Sequence, residues 1–216
     1  MSSREAILTR IRAALADVPA DEVPGDVPVP RAYRRSHTEP GQDTVTLFGE
    51  RVADYRANVT RTDQSHLSEA IAAALTARGV SHLGLPDGFP AELLPSGDWE
   101  WHQEPLDTEA LVGLDGAITL AAAGIAVTGT IVLDTGPGQG RRALTLVPDY
   151  HLCVIRAEQI ADDVPDALAR LDPGLPLTFI SGPSATSDIE LERVEGVHGP
   201  RSLDVIIVDR TDPERP

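Results

Sequence analysis

The apolar residues of the N-terminal segment recur at helical spacing, at Ile7, Leu8, Ile11 and Leu15. They predict an amphipathic helix over residues 3–16, which Ser3 is placed to cap. The following stretch, 18–30, is rich in proline and predicts a linker or an extended strap. We therefore divide the chain into an N-terminal helix and strap, residues 1–40, and a main domain, residues 41–216. The helix either docks on the main domain or a partner, or forms a flexible tail, and the pattern leaves both open.

Helical and strand-like patterns alternate through the main domain. Helical spacing predicts helices over 44–57, 65–77 and 158–171, and a helical turn or two over 188–193. Short apolar runs bounded by Gly, Pro or Asp predict strands at 59–61, 80–85, 117–120, 129–133, 144–147, 152–155, 177–180 and 203–208. Residues 99–114 fit neither pattern. The strand–helix–strand order around 65–77 indicates a βαβ unit, so we predict an α/β fold with a central, mostly parallel sheet flanked by helices.

Composition supports this fold and excludes several classes of function. Aromatic residues make up only 4% of the chain, so aliphatic side chains must fill the core. The formal net charge is −16, which opposes binding to nucleic acid or to anionic membrane surfaces. A small anionic metabolite would need a locally positive pocket. All 18 basic residues are arginine, so Schiff-base, pyridoxal phosphate and P-loop chemistry, each of which requires a lysine, are excluded.

The chain contains one cysteine, Cys153, which lies in an apolar run and is interpreted as a buried, unreactive thiol. One thiol can neither form an intramolecular disulfide nor hold an iron–sulfur cluster, since clusters need several thiolates. No apolar run is long enough to span a membrane, and arginine and glutamate interrupt the N-terminal segment, so we expect a cytoplasmic protein. Homo-oligomerisation stays open. Five histidines, His37, His66, His82, His102 and His151, show no metal-ligand spacing, so no metal site is predicted.

Four glycine-bearing segments carry the candidate chemistry, at 126–130, 135–141, 181–190 and 196–201. The candidate ligand-binding residues in them are Thr128, Gly129, Gly136, Gly138, Gly140, Arg141, Ser181, Gly182, Ser184, Thr186 and Arg201. Glycines permit close backbone approach, so successive N–H groups of the second segment can form an anion site, with Arg141 or Arg142 adding charge. The alternative is an ordinary loop with solvated arginines.

The third and fourth segments add a possible helix N-terminus and a histidine. The third follows a predicted strand and can begin a helix, where N–H groups bind an anion or are simply capped by serine and threonine. His198 lies between two glycines and is either an acid or base or a loop histidine bonded to backbone. If residues 136–142, residues 181–186 and His198 follow the carboxyl ends of parallel strands, they line one pocket, with His198 as the catalytic group.

Taken in order, the four segments resemble the lactate utilization protein C family (LutC/YkgG, with its LUD domain). The resemblance is strongest over residues 110–209. It implies a fold similar to the NagB/RpiA/CoA transferase-like fold, and a component of an L-lactate utilization system that oxidises L-lactate to pyruvate. It also implies iron–sulfur partner proteins that carry the clusters, with no cofactor bound by this chain alone. The chain departs from the resemblance at Val127, where family members often have an acidic residue.

Two other functions are compatible with the same residues. By analogy with the implied fold, the chain is a stand-alone enzyme or binding protein for a small phosphorylated or carboxylated metabolite. It is otherwise a scaffold that binds no ligand. Co-purification with iron–sulfur proteins distinguishes the lactate system from both, and tight binding of an anionic metabolite to the isolated chain favours the second.

Overall fold

The structure is a computed structural model of the chain. It describes residues 2–19, 21–26, 28–30, 32, 34, 36–37, 41–186, 194–195 and 199–209, with only the backbone described at 24, 185–186 and 194–195. Contacts divide the chain into two compact units, Met1–Arg34 and Arg35–Pro216. The second unit begins before the boundary predicted at residue 41.

The first unit contains the predicted N-terminal helix, α1 (Ser3–Ala14). Its cap is Ser2 rather than Ser3: the Ser2 hydroxyl accepts from the Glu5 N–H, and the Glu5 carboxylate accepts from the Ser2 N–H. Such a capping box requires an acidic side chain at the third helical position, and that spacing selects Ser2. Ile7 and Ile11 are exposed on this helix.

The second unit holds the remaining helices and strands, whose predicted boundaries shift mostly by a few residues. The helices are α2 (Thr44–Asp54), α3 (Leu67–Arg78), α4 (Thr108–Val112) and α5 (Val164–Arg170). The strands are β1 (Asn58–Thr62), β2 (His82–Leu85), β3 (Glu100–Gln103), β4 (Gly116–Leu120), β5 (Ala123–Ile125), β6 (Thr130–Leu133), β7 (Tyr150–Arg156), β8 (Ile160–Ala161), β9 (Thr178–Ile180), β10 (Ala185–Thr186), β11 (Val194–Glu195) and β12 (Ser202–Val208).

Within the described residues, a six-stranded central sheet has the order β1-β12-β7-β4-β2-β3, and every neighbouring pair in it is parallel. This confirms the predicted α/β fold with its parallel sheet. The strands at its centre are buried on both faces. Leu152 and Val154 of β7 pack in one cluster with residues of α3, while Cys153 and Ile155 pack in another with residues of α2. Burial on both faces explains why the strands are continuous apolar runs.

A second sheet has the order β8-β5-β6-β9. Strand β6 is antiparallel to both of its neighbours, β5 and β9. Its residues Ile131 and Leu133 join the α2 side of the core, while Val132 packs with Ala167 of α5. The sequence pattern predicted one sheet, so the strands at 129–133 and 177–180 form as expected but belong to a different sheet.

Two predicted elements are wrong in type or length. Residues 144–147 do not form a strand, because Arg142–Thr145 is a 3-10 helix that buries Leu144 in a cluster with Leu111 and Leu114. The helix predicted over 158–171 begins only at Val164, where the Asp163 carboxylate caps it and a proline occupies its first turn. The segment at 188–193 lies outside the described residues.

A polar network joins the amino ends of β1, β7 and β12. The Asp204 carboxylate accepts from Arg78 (Nη2 to Oδ1, 2.6 Å), Asn58 (2.9 Å) and the Tyr150 hydroxyl (2.9 Å). The Asp204 side chain is 9% exposed and that of Arg78 is 29% exposed. The Arg78 guanidinium also lies 5.4 Å from the centre of the Tyr150 ring. A charge this well buried is tolerated because all of these donors converge on it.

In the part of the chain that the structure describes, no helix is long and apolar enough to cross a membrane.

Candidate functional site

The glycine-bearing segments are distributed between two cavities. The Arg142 cavity, of about 260 Å³, is lined by Arg142, Thr145, Leu146, His151, Thr178, Phe179, Ile180, Ser181, Gly182, Pro183, Ser184, Gly199, Pro200 and Leu203. The Arg141 cavity, of about 540 Å³, is lined by Asp87, Gly88, Glu104, Pro105, Thr135, Gly136, Pro137, Gly140 and Arg141. The predicted single pocket is therefore divided, with the second and third segments on different cavities.

The antiparallel pairing of β6 with β9 explains the division. Leu133 at the end of β6 lies opposite Thr178 at the start of β9, and Ile131 lies opposite Ile180. The loops that follow β6 and β9 therefore leave opposite ends of the second sheet. The prediction assumed parallel strands, whose carboxyl ends would have gathered both loops at one edge.

The Arg141 cavity does not offer the predicted anion site. Backbone N–H groups of its loop already have acceptors: Gly136 donates to Asp134 Oδ1 (2.9 Å), Gly138 to the Asp87 carbonyl (2.7 Å) and Arg141 to Glu104 Oε2 (3.1 Å). The Arg141 side chain donates from Nε to Glu104 Oε1 at 2.8 Å, and the Glu104 side chain is only 7% exposed. The Arg141 charge therefore neutralises a buried carboxylate of the protein itself.

Glycine at several candidate positions is required by packing. Gly129 has a φ of +57°, and a Cβ there would lie 2.6 Å from the backbone of Arg51 in α2. Gly182 has a φ of +81°, and its Cβ would lie 2.5 Å from the Cβ of Tyr55, the residue after α2. Both positions bring loop backbone against the end of α2, where any side chain would clash.

Hydroxyl groups and one arginine form the polar side of the Arg142 cavity. The Ser181 Oγ lies 2.8 Å from the Thr130 Oγ1, which lies 2.7 Å from the Thr128 Oγ1. This chain of hydroxyl groups connects Thr128 to Ser181, the member that lines the cavity. The exposed Arg142 guanidinium makes no hydrogen bond or ion pair with residues that the structure describes, unlike its neighbour Arg141. Among the described residues, the cavity thus combines a positive charge that no carboxylate pairs with and several hydroxyl groups, the combination that suits a small carboxylate or phosphate.

His151 forms part of the floor of the Arg142 cavity and was interpreted from the sequence as structural. Its residue is 1% exposed, and its Nε2 lies 2.8 Å from the Thr119 Oγ1. Burial lowers the pKa of His151 to about 4, so the imidazole is neutral at pH 7. It can exchange hydrogen bonds with a ligand without adding a charge. Its position in an apolar strand gave no sequence signal for the cavity.

The remaining candidates lie away from the Arg142 cavity or outside the described residues. Arg201 makes two hydrogen bonds to the Asp149 carboxylate, at 2.7 and 2.6 Å, and these lower the pKa of Asp149. Thr186 belongs to β10, which pairs antiparallel with β11, and its side chain is not described. The catalytic candidate His198 lies outside the described residues.

Strand pairing brings together one group that the sequence did not predict. Ligand atoms of His82, Glu100 and His102 lie within 4.8 Å of one another. Glu100 and His102 lie two positions apart on β3, and His82 is the first residue of the neighbouring strand β2. The sequence shows that Glu100 and His102 are two positions apart, but it does not show which strand pairs with theirs or in which register.

A family model for the LUD domain matches residues 88–208. This range contains β3 to β12 and nearly all of the residues that line the two cavities. The chain belongs to the LUD domain family. A protein named Lactate utilization protein C from Deinococcus radiodurans is 43% identical over 208 residues, covering 94% of this chain and 93% of its own length. A protein of the same name from Halalkalibacterium halodurans is 30% identical and covers 77% of this chain and 80% of its own.

A solved structure supports the LUD domain fold. The crystal structure of a DUF162 family protein from Deinococcus radiodurans matches with a TM-score of 0.66 and 38% identity. The match covers 76% of this chain and 96% of that chain. Escherichia coli YkgG, an uncharacterized protein by its name, is 34% identical over 100 residues, or 43% of each chain. The resemblance to the LutC/YkgG family inferred from the glycine-bearing segments is thereby confirmed.

Proposed function

We propose that this chain is a non-redox component of an L-lactate utilization system, in which L-lactate is oxidised to pyruvate together with iron–sulfur partner proteins. The main support is the relative named Lactate utilization protein C, which aligns with 94% of this chain at 43% identity. Further relatives of that name align with smaller parts of it. The lactate role is inferred from the names of these relatives. The proposal that partner proteins carry the electrons rests on the chemistry of this chain.

The composition supports the proposal that partner proteins, and not this chain, accept the electrons from L-lactate. Oxidation of L-lactate to pyruvate removes two electrons and two protons. The one thiol of this chain, Cys153, is fully buried, and burial raises its pKa to about 12. A neutral buried thiol is a poor cluster ligand, and a cluster requires several thiolates. From the resemblance to the lactate utilization protein C family, we propose that iron–sulfur proteins are the partners that accept the electrons.

The Arg142 cavity is the place where we propose that a small carboxylate such as L-lactate binds. The Arg142 guanidinium pairs with the carboxylate, since its planar fork matches two carboxylate oxygens. The Ser181 hydroxyl lies on the same wall and bonds to the ligand's polar groups. The neutral, buried His151 accepts or donates one hydrogen bond at the floor. Leu146 and Leu203 provide the apolar surface against which a methyl group packs.

We expect Arg142→Gln to weaken L-lactate binding about tenfold or more. A hydrogen bond to a charged group contributes about 1.5–3 kcal/mol, and about 1.4 kcal/mol corresponds to a factor of ten. Titration calorimetry, or NMR of ¹³C-labelled lactate, measures the change. Arg142→Lys should recover only part of the affinity, because an ammonium lacks the planar fork. Arg170→Gln, at an exposed arginine of α5 that does not line the cavity, is the matched control. Equal affinity in the wild type and Arg142→Gln would contradict this site.

We also expect the purified chain to be colourless and unable to reduce a dye with L-lactate as electron donor. Lactate-dependent dye reduction should appear when the iron–sulfur proteins that we expect to co-purify with the chain are added. Lactate-dependent reduction by the pure chain would contradict the proposed division of labour. Binding of a phosphorylated metabolite, with no lactate response in any mixture, would instead favour a separate enzyme or binding protein.

A further inference from the structure

The geometry points to a second site, a divalent transition-metal site formed by His82, Glu100 and His102 at the amino ends of β2 and β3. We infer that it binds Zn²⁺ through His82 Nδ1, His102 Nε2 and Glu100 Oε2, with water in the fourth position. The site is separate from the Arg142 cavity, and no residue is shared between them.

The strand register places the three side chains on one face of the central sheet. His82 lies opposite Glu100 in the parallel pair β2–β3, and His102 lies opposite Gly84. Glu100 and His102 are two positions apart on β3, so their side chains point the same way. The intervening Leu83 and Trp101 belong to the core cluster that includes residues of α3, on the other face. The sheet thus separates the three proposed metal ligands from the core cluster that packs against α3.

The distances between the ligand atoms fit a tetrahedral ion. His82 Nδ1 lies 3.4 Å from His102 Nε2 and 3.5 Å from Glu100 Oε2, and His102 Nε2 lies 4.0 Å from Glu100 Oε2. Metal–ligand bonds of about 2.0–2.1 Å give tetrahedral edges of about 3.4 Å and octahedral edges of about 2.9 Å. Shortening the distance between His102 Nε2 and Glu100 Oε2 to the tetrahedral value requires only a small movement of the Glu100 side chain, which is 69% exposed.

The donor set selects the type of ion. Two imidazoles and one carboxylate suit Zn²⁺ and its neighbours, whereas Mg²⁺ and Ca²⁺ prefer oxygen ligands throughout. Three protein ligands leave a fourth position open. The histidine side chains are 45% and 38% exposed, so water has access to that position. A net charge of −16 on the chain further favours cation binding.

The backbone around the cluster is fixed before any metal arrives. The Asp115 carboxylate accepts from the backbone N–H groups of Ser81 and His82, both at 2.8 Å. The Glu100 N–H donates to the Ser81 carbonyl at 2.7 Å. These bonds hold the starts of β2 and β3 in register, so metal binding has to order little more than three side chains.

The test is a titration of the full-length protein with Zn²⁺ and with Co²⁺, using isothermal calorimetry and absorption spectroscopy. We expect one equivalent to bind, and Co²⁺ to give the intense visible bands of a four-coordinate ion. Trp99 and Trp101, the two tryptophans of the chain, should lose fluorescence as Co²⁺ binds nearby. His102→Ala and Glu100→Gln should each weaken Zn²⁺ binding by at least about tenfold, because losing only a hydrogen-bond partner of a metal ligand already has an effect of that size.

His66→Ala is the matched control, because it removes an exposed imidazole that pairs with Asp63 elsewhere on the surface. It should leave the affinity unchanged. Circular dichroism verifies that each variant is folded, and Glu100→Gln, at the most exposed ligand, preserves the size and shape of the side chain. Unchanged Zn²⁺ affinity in both ligand variants, absence of stoichiometric binding, or an octahedral Co²⁺ spectrum would each overturn the assignment.

Discussion

Asp204→Ala is expected to lower the free energy of unfolding by about 3–5 kcal/mol, the usual cost of removing one partner from a buried charged pair. The substitution leaves the partly buried Arg78 guanidinium and the Tyr150 hydroxyl without their shared acceptor. Urea denaturation at neutral pH measures the difference. Because the network joins three strands, the loss should appear in the main unfolding transition.

Two variants make this result specific. Asp209→Ala breaks an ion pair with Arg61 in which the side chains are 39% and 45% exposed, and should cost less than about 1 kcal/mol. The double variant Asp204→Ala with Arg78→Met should be more stable than Asp204→Ala alone, since no unpaired charge remains. A loss below about 1 kcal/mol for Asp204→Ala would show that the network adds little stability.

The second large effect is a dependence of stability on pH that originates at His151. Burial lowers the pKa of His151 to about 4 in the folded protein, against about 6.5 in the unfolded chain. The unfolded state therefore binds the proton first as the pH falls. The contribution is complete above about pH 6.5 and disappears as the pH falls toward 4, a change of about 3 kcal/mol.

Denaturation curves of wild type and His151→Gln between pH 7.5 and about 4 test this expectation, because the variant should lose most of the slope. Carboxylates act in a lower window: a hydrogen bond from Ser65 lowers the pKa of Asp63 to about 2, so its contribution is lost below about pH 4. His66→Gln, which removes a surface histidine, should keep the wild-type slope. Parallel curves for wild type and His151→Gln would show that His151 does not control acid stability.

The parallel sheet could be predicted from sequence because its strands are buried on both faces and therefore form clear apolar runs, as at 152–155 and 203–208. The second sheet could not. Its strand β5 consists of Ala123, Gly124 and Ile125, too short and too small to give a strand pattern. The apolar run at 144–147 also does not indicate a strand. Of its three apolar side chains only Leu144 is buried, and a 3-10 helix is enough to bury it. The implied similarity to the NagB/RpiA/CoA transferase-like fold stays a prediction.

The sequence names candidate residues for the site but does not show how they are arranged. The sequence assigned the anion contact to Arg141 as readily as to Arg142. Only the folded chain shows that Glu104, from a distant segment, neutralises Arg141. Cross-strand groupings such as His82 with Glu100 depend on strand order, which periodicity does not encode.

The two edges of the central sheet affect how the protein behaves at high concentration. Strand β3, with four residues, and β1, with five, lie at the ends of the strand order. Unpaired edges can recruit strands from neighbouring molecules and start aggregation. Here both are short, with Glu100 on β3 and Arg61 on β1 placing charge where a further strand would have to pair. The sheet thus ends in strands that disfavour self-assembly through backbone hydrogen bonds, while its apolar strands stay enclosed.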